Sequence, residues 1–500
     1  MAFYNQTIKS HNFWHKANSR CMEQIIGRKE ETGLLEEAFR SKQAGLIAVY
    51  GRRRVGKTYL VRTYFEKHLA FELTGMYGAG LKEQLQQFTK ALQKASGSLL
   101  AFRPPENWVE AFHALEQFLD QKDRKRKWVV FLDEFPWLDS RRSGFLSAFE
   151  HFWNSWAGRQ SNLVVVICGS AASWMIRNIV NSKGGLHNRI TQKIRLLPFT
   201  LAETETYLKS LGSNLDRYQV LQIYMAFGGI PQYLNNVGRG SSATQVIQKT
   251  CFNPNGLLTG EFNNLYGSLF EIADNHIKVV RALAANPKGM TRKEIIEECQ
   301  LYSSGTITLM LEELEESGFI RSVLPYDKKS RDSIYRLIDE FSIFYLKFMD
   351  KTRSIAKDAW SKVSASPVYK IWGGLAFEAV CLKHVEQIKK GLGIQGIESE
   401  ESAWRYVPAK GQKERGAQID LLIDRKDRCI NICEMKFYTG EYTIDKAYAG
   451  ELEQKMEVFA ERTKTKKTLF LTMISSYGVK ENEYSRKLVQ KGLTMDVLFE

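Results

Sequence analysis

Residues 46–58 read LIAVYGRRRVGKT, and this stretch decides the fold. Five apolar residues of strand length end at Tyr50, and the next eight residues fit the pattern GxxxxGK[ST] at the start of a helical segment. In that setting the pattern predicts a phosphate-binding loop, whereas a glycine-containing surface turn is the alternative. Such a loop curls its backbone N–H groups around phosphates at the N-terminus of a helix.

The loop 51–58 supplies most of the candidate nucleotide-binding residues. We expect Lys57 to neutralise the β- and γ-phosphates of ATP, and we expect the hydroxyl of Thr58 to bind Mg²⁺. The other expected contacts come from the same loop and from the residue after it: Gly51, Arg52, Arg53, Arg54, Val55, Gly56 and Tyr59.

Two carboxylates follow another apolar run, VVFL at residues 129–132. In an open α/β sheet, ligands collect at the carboxyl ends of the strands. We therefore expect Asp133 to hold Mg²⁺ and Glu134 to polarise the attacking water during phosphoryl transfer. A solvated strand end is the alternative when such a run is considered alone.

Two further residues are candidates for contact with the nucleotide. Ser170 follows the apolar run LVVVICG, where a polar side chain could sense the γ-phosphate, and a simple turn residue is the alternative. Arg189 could reach the phosphates of its own subunit or of a neighbouring one. A surface arginine is the alternative at that position.

The order of apolar runs predicts the fold class, which is α/β and multidomain. Strand-like runs at 46–50, 128–132 and 163–167, separated by helical patterns, are typical of a doubly wound parallel sheet covered on both faces. We assign this ATPase core to residues 1–200. Within it, we expect residues 57–120 to be helical.

The remainder of the chain is predicted to form three further domains. A helical lid is expected at 201–270. Three helices followed by a hairpin then predict a winged helix at 271–350. A second α/β unit, nuclease-like in its motif, is expected at 351–500.

That C-terminal unit carries a second group of charged residues. Asp420 ends one strand-like segment, and Glu434 and Lys436 end the next. Alternation along a strand points Glu434 and Lys436 to one face. The arrangement is similar to the PD-(D/E)xK nuclease core, in which Asp420 and Glu434 would hold Mg²⁺ and Lys436 would orient the attacking hydroxide. Glu378, from a preceding helix, would complete an acidic cluster beside this lysine. A chance string on a surface hairpin is the alternative.

The composition is that of a globular protein with a basic surface. The 500 residues carry a formal net charge of +15, which suits a polyanionic partner such as DNA, although many basic proteins bind none. The seven cysteines have no paired CxxC spacing and are expected to be reduced thiols. Residues 1–20 have no apolar signal core, and no apolar run is long enough for a membrane span, so we expect a cytoplasmic protein. His276 and His384 are expected to be core or surface histidines.

Several motifs together resemble a known family, the archaeal-type AAA+ ATPases of the STAND-related branch. The resemblance covers the chain to about residue 233 and rests on Gly27–Arg28, GRRRVGKT, FLDEF, Cys168–Gly169–Ser170, Arg189 before LLPF, and GGIPQYL at 228–234. It implies a lid followed by a winged helix and often by a C-terminal domain resembling restriction endonucleases. That family usually has an aromatic-glycine pair before its arginine, whereas Leu186, His187 and Asn188 precede Arg189 here, which leaves the role of Arg189 open.

The leading functional hypothesis is a switch ATPase with ATP and Mg²⁺ as cofactors and a C-terminal domain that acts on DNA. The alternative is a non-catalytic scaffold or regulator whose C-terminal domain binds DNA or protein without cutting. DNA translocation is a third hypothesis, and it would require oligomerisation into a ring. The helix pattern TITLMLEELEESG is acidic, so the winged helix could contact a protein partner instead of DNA.

Overall fold

The computed structural model describes residues 25–98, 102–170, 172–180, 185–186, 188–270, 273–302, 305–328, 332–350, 359–408 and 415–500. Residues 1–20, expected to carry no signal segment, lie outside these ranges, as do Cys21 and His187. The chain divides into two compact units. The first comprises Met1–Leu197 and Ser268–Glu271, and the second comprises Pro198–Gly267 and Ile272–Glu500.

The first unit contains a five-stranded parallel sheet with the strand order β2-β3-β4-β1-β5. Its strands are β1 Gly45–Tyr50, β2 Leu69–Thr74, β3 Trp128–Asp133, β4 Leu163–Gly169 and β5 Gln192–Arg195. The three strands predicted from apolar runs are β1, β3 and β4, and they occupy the middle of the sheet. The prediction of a parallel-sheet α/β domain is confirmed.

The two edge strands correct the sequence analysis. We expected residues 57–120 to be helical, but Leu69–Thr74 forms β2, and β5 was not predicted at all. Both strands are only partly buried, since an edge strand has one neighbour. Their sequences, LAFELT and QKIR, therefore lack the continuous apolar run by which a central strand is recognised.

Both faces of this sheet are covered by helices. On one face, β1 contributes Leu46, Ala48 and Tyr50 to a large apolar core. The alternate residues Ile47 and Val49 are equally buried on the other face. The helices are Lys29–Arg40, Lys57–Phe65, Leu81–Ser96, Trp108–Asp120, Phe135–Leu138, Phe145–Ser155 and Ala172–Met175, with a 3₁₀ turn at Ala157–Arg159 and a π turn at Ile176–Val180.

The second unit begins with a helical segment. Its helices are Leu201–Ser210, Arg217–Phe227, Pro231–Leu234, Ala243–Cys251 and Glu261–Leu269. Capping boxes begin two of them, at Thr200 and at Ser242, so the side chains at those positions satisfy backbone N–H groups that the helix leaves unpaired.

Three helices and a small antiparallel sheet follow. The helices are Ala273–Ala285, Arg292–Glu298 and Gly305–Glu316, and the strands are β6 Met290–Thr291, β7 Ile320–Val323 and β8 Ile334–Leu337 in the order β6-β8-β7. Thr291 caps the second helix in a capping box with Glu294. A helix at Glu340–Phe344 and a π turn at Tyr345–Met349 complete the segment.

A second sheet lies at the C-terminus, as predicted. Its strands are β9 Ser399–Tyr406, β10 Ala417–Arg425, β11 Cys429–Lys436, β12 Thr468–Ser475 and β13 Val489–Thr494. The strand order is β13-β12-β11-β10-β9; β9, β10 and β11 pair antiparallel, whereas β11, β12 and β13 pair parallel. The helices are Ala359–Ser364, Pro367–Lys383, Val385–Leu392, Lys446–Thr463 and Glu483–Leu488, with a 3₁₀ turn at Met495–Phe499.

Two general properties concern the part of the chain that the structure describes. No helix there is both long and apolar enough to cross a bilayer. The cysteines within the same ranges, Cys168, Cys251, Cys299, Cys381, Cys429 and Cys433, are free thiols.

His384 is a buried histidine that joins two helical segments of the second unit. Its Nε2 accepts a hydrogen bond of 3.1 Å from the backbone N–H of Leu201, so Nδ1 carries the proton and donates to Val380 O at 2.8 Å. Burial lowers the pKa of His384 from 6.5 to about 4. The residue is therefore a neutral core histidine at physiological pH, in line with the sequence analysis.

We predict that His384 makes the second unit less stable in mild acid. Because its pKa is lower in the folded state, the unfolded chain takes up the proton first as pH falls below 6.5, and stability decreases until pH reaches about 4. Between pH 7.5 and pH 5, this residue should cost about 2 kcal/mol of unfolding free energy. Urea unfolding of wild type and His384→Gln at both pH values measures the effect. The exposed His113, changed to Gln, is the control, and equal pH dependence in all three proteins would contradict the assignment.

Candidate functional site

The loop 51–58 starts where β1 meets the end of β5. Gly51 has φ 143°, and a Cβ added there would lie 2.3 Å from the backbone oxygen of Leu196. Any side chain at this position would therefore push β1 and the segment after β5 apart. The loop leaves β1 along a path that only glycine allows.

The other end of the loop is the start of a helix. Gly56 has φ 95° and precedes the helix Lys57–Phe65 as an N-cap without a side-chain hydrogen bond. The first N–H groups of a helix have no partner within it, and the helix dipole favours an anion there. The loop residues therefore fit the phosphate groups of a nucleotide.

Lys57 folds back over the loop. Its Nζ donates to Gly51 O at 2.9 Å and to Arg52 O at 2.8 Å, and its side chain is buried. Burial lowers the pKa of Lys57, while the neighbouring acidic groups, Glu134 and Asp133 among them, raise it. The ammonium group is thus held at the loop with two carboxylates nearby.

Thr58 and Asp133 form a direct pair at the end of β3. The Thr58 hydroxyl donates to Asp133 Oδ2 at 3.0 Å, and the backbone N–H of Glu134 donates to Asp133 Oδ1 at 3.0 Å. Asp133 is 4% exposed, and burial, followed by the charge of Glu134, raises its pKa. A hydroxyl and a carboxylate oxygen so close together are oxygen ligands of the kind that Mg²⁺ prefers.

The side chain of Glu134 is held by Ser170, which follows the neighbouring strand β4. It adopts the left-handed conformation, with φ 45°, which few residues other than glycine adopt. Its Oε2 accepts hydrogen bonds from the Ser170 hydroxyl at 2.7 Å and from the Ser170 backbone N–H at 3.2 Å. The structure therefore brings Glu134 and Ser170 together, so the immediate partner of this serine is a carboxylate. Contact between Ser170 and a γ-phosphate remains a prediction.

The other predicted nucleotide contacts differ in exposure. Arg52 and Val55 are buried, Arg53 and Arg54 are partly exposed, and Tyr59 is 57% exposed. Arg189 is exposed in a turn, where its N–H bonds to Leu186 O at 3.0 Å. The residues from Arg52 to Tyr59 belong to the loop or follow it directly. Arg189 instead precedes Thr191, which bonds to Leu46 near the amino end of β1, at the edge of the sheet opposite to the loop. Contact of any of these residues with a nucleotide remains a prediction.

Arg28 is a residue of this site that we did not propose from the sequence. It is buried, has φ 58°, and its Nη2 donates to the loop carbonyl of Val55 at 3.1 Å. The sequence analysis used the Gly27–Arg28 pair only as part of the family resemblance, and that motif could have indicated a role for Arg28 at the loop. Arg28 holds the middle of the loop from a segment that precedes the sheet.

In the second unit, the structure brings the predicted acidic residues together. Asp420 and Glu434 each lie one residue beyond the cross-strand pair Leu421–Cys433 of β10 and β11. Burial raises the pKa of Glu378 to about 7, and the charges of Asp420 and Glu434 are the next causes. Glu378, in the helix Pro367–Lys383, is therefore close enough to repel both carboxylates.

Three cations, and not one lysine, accompany these carboxylates. Lys436 Nζ lies 3.5 Å from Glu434 Oε1, and Lys455 Nζ lies 2.5 Å from Glu434 Oε2. Arg336 Nη2 lies 3.1 Å from Asp420 Oδ1. Our expectation of an acidic cluster beside a single lysine was therefore wrong. Lys455 and Arg336 were missed because they lie in a helix and a strand that are distant in sequence from these carboxylates.

The geometry of this group bears on its metal prediction. Within the described ranges, no set of three or more His, Cys, Asp or Glu side chains is arranged to hold a metal ion. The side chains of Asp420 and Glu434 are instead oriented towards basic partners. Metal binding by these two carboxylates remains a prediction, and it would require them to exchange those partners.

The comparisons with known proteins cover the nucleotide-site residues and extend into the second unit. A family model described as an ATPase domain predominantly from Archaea matches residues 26–237. The chain is 23% identical over 417 residues to the uncharacterized protein MJECL04 of Methanocaldococcus jannaschii, which covers 83% of this chain and 87% of that protein. It is also 49% identical over 42 residues to the uncharacterized ATP-binding protein MJ0423 of the same organism, which covers 8% of this chain and 71% of that protein.

Among solved structures, the chain is similar to the Walker-type ATPase PABY2304 of Pyrococcus abyssi, with 18% identity and a TM-score of 0.48 over 65% of this chain and 96% of that one. The family match includes the loop 51–58, the carboxylates at the end of β3, and Ser170. Residues 26–237 are therefore similar to a family of ATPase domains found predominantly in Archaea.

Proposed function

We propose that the first unit binds Mg-ATP at the loop 51–58 and hydrolyses it. The observation that carries this proposal is the Thr58–Asp133 hydrogen bond of 3.0 Å, beside the buried ammonium of Lys57. Thr58 and Asp133 would hold Mg²⁺, which when bound neutralises charge on the phosphates. Lys57 would exchange its bonds to the loop carbonyls for bonds to phosphate oxygens.

Glu134 is our candidate for orienting the attacking water. Ser170 engages its Oε2 through two hydrogen bonds, so we assign acceptance of the proton to Oε1. Because Ser170 follows β4 and Glu134 follows β3, two neighbouring strands fix the position of the carboxylate. General-base catalysis requires such fixed positioning.

We further propose that nucleotide state controls a C-terminal domain that acts on DNA. Three helices and a hairpin between Ala273 and Leu337 support a winged helix at 271–350, after a helical lid at 201–270. At 351–500, helices precede three antiparallel strands, a helix and a parallel strand, an order similar to that of PD-(D/E)xK nucleases. The net charge of +15 supports DNA as the partner. The free, mostly buried thiols agree with a cytoplasmic location.

A second candidate function is supported by the ion pairs of Asp420 and Glu434. Asp420 and Glu434 are paired with Arg336, Lys436 and Lys455, and carboxylates so paired serve a structural role without a metal. In that case the C-terminal domain binds DNA or a protein without cutting. The acidic helix Gly305–Glu316 favours a protein contact for the winged helix over a DNA contact.

The first prediction for the proposed function concerns Lys57. Lys57→Ala should weaken ATP binding about tenfold or more, because it removes a charge-assisted hydrogen bond while the backbone loop remains. Isothermal titration calorimetry measures the affinity, and near-ultraviolet circular dichroism checks the fold. Lys67→Ala, at an exposed position of the same unit, is the matched control. An unchanged ATP affinity in Lys57→Ala would remove the loop from the proposed site.

The second prediction concerns Glu134. Glu134→Gln should retain ATP binding and slow hydrolysis by about 10²–10⁴-fold, because an amide cannot accept the proton. Ser170→Ala should slow hydrolysis by a smaller factor, since the carboxylate remains but loses a partner that orients it. Steady-state phosphate release measures both rates. Hydrolysis at the wild-type rate in Glu134→Gln would assign the role to another residue.

The third prediction separates the two C-terminal functions. With ATP and with Mg²⁺ or Mn²⁺, the wild-type protein should nick supercoiled plasmid, and Glu434→Ala should not, because a metal ligand is lost. DNA binding, measured by fluorescence anisotropy, should be equal in the two proteins. Equal nicking by both would show a contaminant or a different site. If neither protein nicks the plasmid and both bind DNA, the non-catalytic function is the correct one.

A further inference from the structure

Arg336 links the β7–β8 hairpin to the acidic residues of the C-terminal sheet. It lies in β8, is 8% exposed, and contacts Asp420, which is 84 positions further along the chain, through a hydrogen bond of 3.1 Å from Nη2 to Oδ1. Asp420 Oδ1 also accepts a hydrogen bond of 2.8 Å from Gln418. One oxygen of the candidate metal ligand is therefore engaged by two donors.

The hairpin itself is docked on the C-terminal sheet. The backbone N–H of Tyr326 donates to Ala403 O in β9 at 2.8 Å, and the Tyr326 ring packs against Phe459 at 5.4 Å between centroids. Arg321, directly opposite Arg336 in the β7–β8 register, donates from Nη1 to Leu382 O at 2.7 Å. The contacts of the hairpin therefore fix the backbone position of Arg336, in addition to the choice of its side-chain rotamer.

The ion pair of Arg336 is incomplete. Its Nε is buried and has no hydrogen-bond partner among the described residues, so the contact with Asp420 uses one guanidinium nitrogen where two could bind. A buried donor without a partner costs free energy that water would relieve. Arg336 also lines a cavity of about 470 Å³ that extends to Glu378 and Trp372. The unpaired Nε therefore makes the contact with Asp420 less stable than a two-nitrogen ion pair, and the cavity gives the side chain of Arg336 space to move.

Engagement of Asp420 by Arg336 opposes engagement by a metal. The guanidinium donates to Oδ1, one of the two oxygens through which Asp420 could bind a divalent cation, and its positive charge would repel a cation brought to the other oxygen. Arg336 is also one of the charges that act on Glu378, so its influence reaches beyond Asp420.

We propose that the β7–β8 hairpin is an autoinhibitory latch, in which Arg336 occupies the metal-binding side of Asp420 until the hairpin leaves the C-terminal sheet. This inference rests on the proposed function, since it takes Asp420 and Glu434 as the metal ligands. In the docked state the acidic site is closed to Mg²⁺. Undocking removes one cation and frees one carboxylate in a single movement.

The test measures Mn²⁺ affinity of the full chain by electron paramagnetic resonance, with ATP absent. Arg336→Gln should bind Mn²⁺ about tenfold more tightly than wild type, equivalent to one charge-assisted hydrogen bond. Arg336→Lys, which keeps the charge, should lie between the two. Lys328→Gln is the matched control, because it removes an equal charge from an exposed position of the same hairpin. Glu434→Ala in each background identifies the ion bound at the acidic site.

Hydrogen exchange gives a second readout that does not depend on metal. The Tyr326 amide, which bonds to Ala403, should exchange faster in Arg336→Gln than in wild type, and Arg336→Lys should restore part of its protection. Unchanged Mn²⁺ affinity in Arg336→Gln, or an equal rise in Lys328→Gln, would overturn the latch. If no variant binds Mn²⁺ at the acidic site while Tyr326 exchange rises in Arg336→Gln, the metal site of the proposed function is overturned and the hairpin contact is a structural one.

Discussion

The backbone of β1 and the backbone after β5 meet at Gly51, and the nucleotide site depends on that contact. Leu196 N–H donates to Tyr50 O at 2.8 Å, and there is no space for a Cβ between Gly51 and Leu196 O. The loop 51–58 can therefore leave the sheet only in one direction. That direction sets the start of the helix Lys57–Phe65 and, with it, the positions of Lys57 and Thr58.

The sheet then places the acidic partners of this loop. Because β3 and β4 are neighbours and parallel, the residues that follow them emerge at the same edge, where Glu134 meets Ser170. Asp133, the last residue of β3, reaches Thr58 from the same edge. The strands are buried on both faces, so these side chains cannot shift without disturbing the core. Rigid strands thus supply the fixed geometry that phosphoryl transfer requires.

The sequence was informative where a local pattern carried the signal. Central strands are continuous apolar runs, and the loop 51–58 has its own spacing, so both could be predicted from residues close together in the chain. The edge strands β2 and β5 could not, because each has one neighbour and a less apolar sequence. At the C-terminal group, Asp420, Glu434 and Lys436 were recognised by their spacing. Arg336 and Lys455 were missed, since tertiary packing alone brings them to these carboxylates.

The pairing of β1 also has a consequence for the order in which the protein folds during synthesis. Gly45 pairs with Val164, and Tyr50 pairs with both Gly169 and Arg195, so β1 has no strand neighbour close in sequence. Contacts of such long separation form late, because the chain between them must first be closed into a loop. While the ribosome is still adding residues before β5, β1 lacks one of its two neighbours and Gly51 lacks Leu196. A nascent chain of that length therefore exposes an apolar strand, and chaperones that bind such segments should associate with it until β5 has emerged.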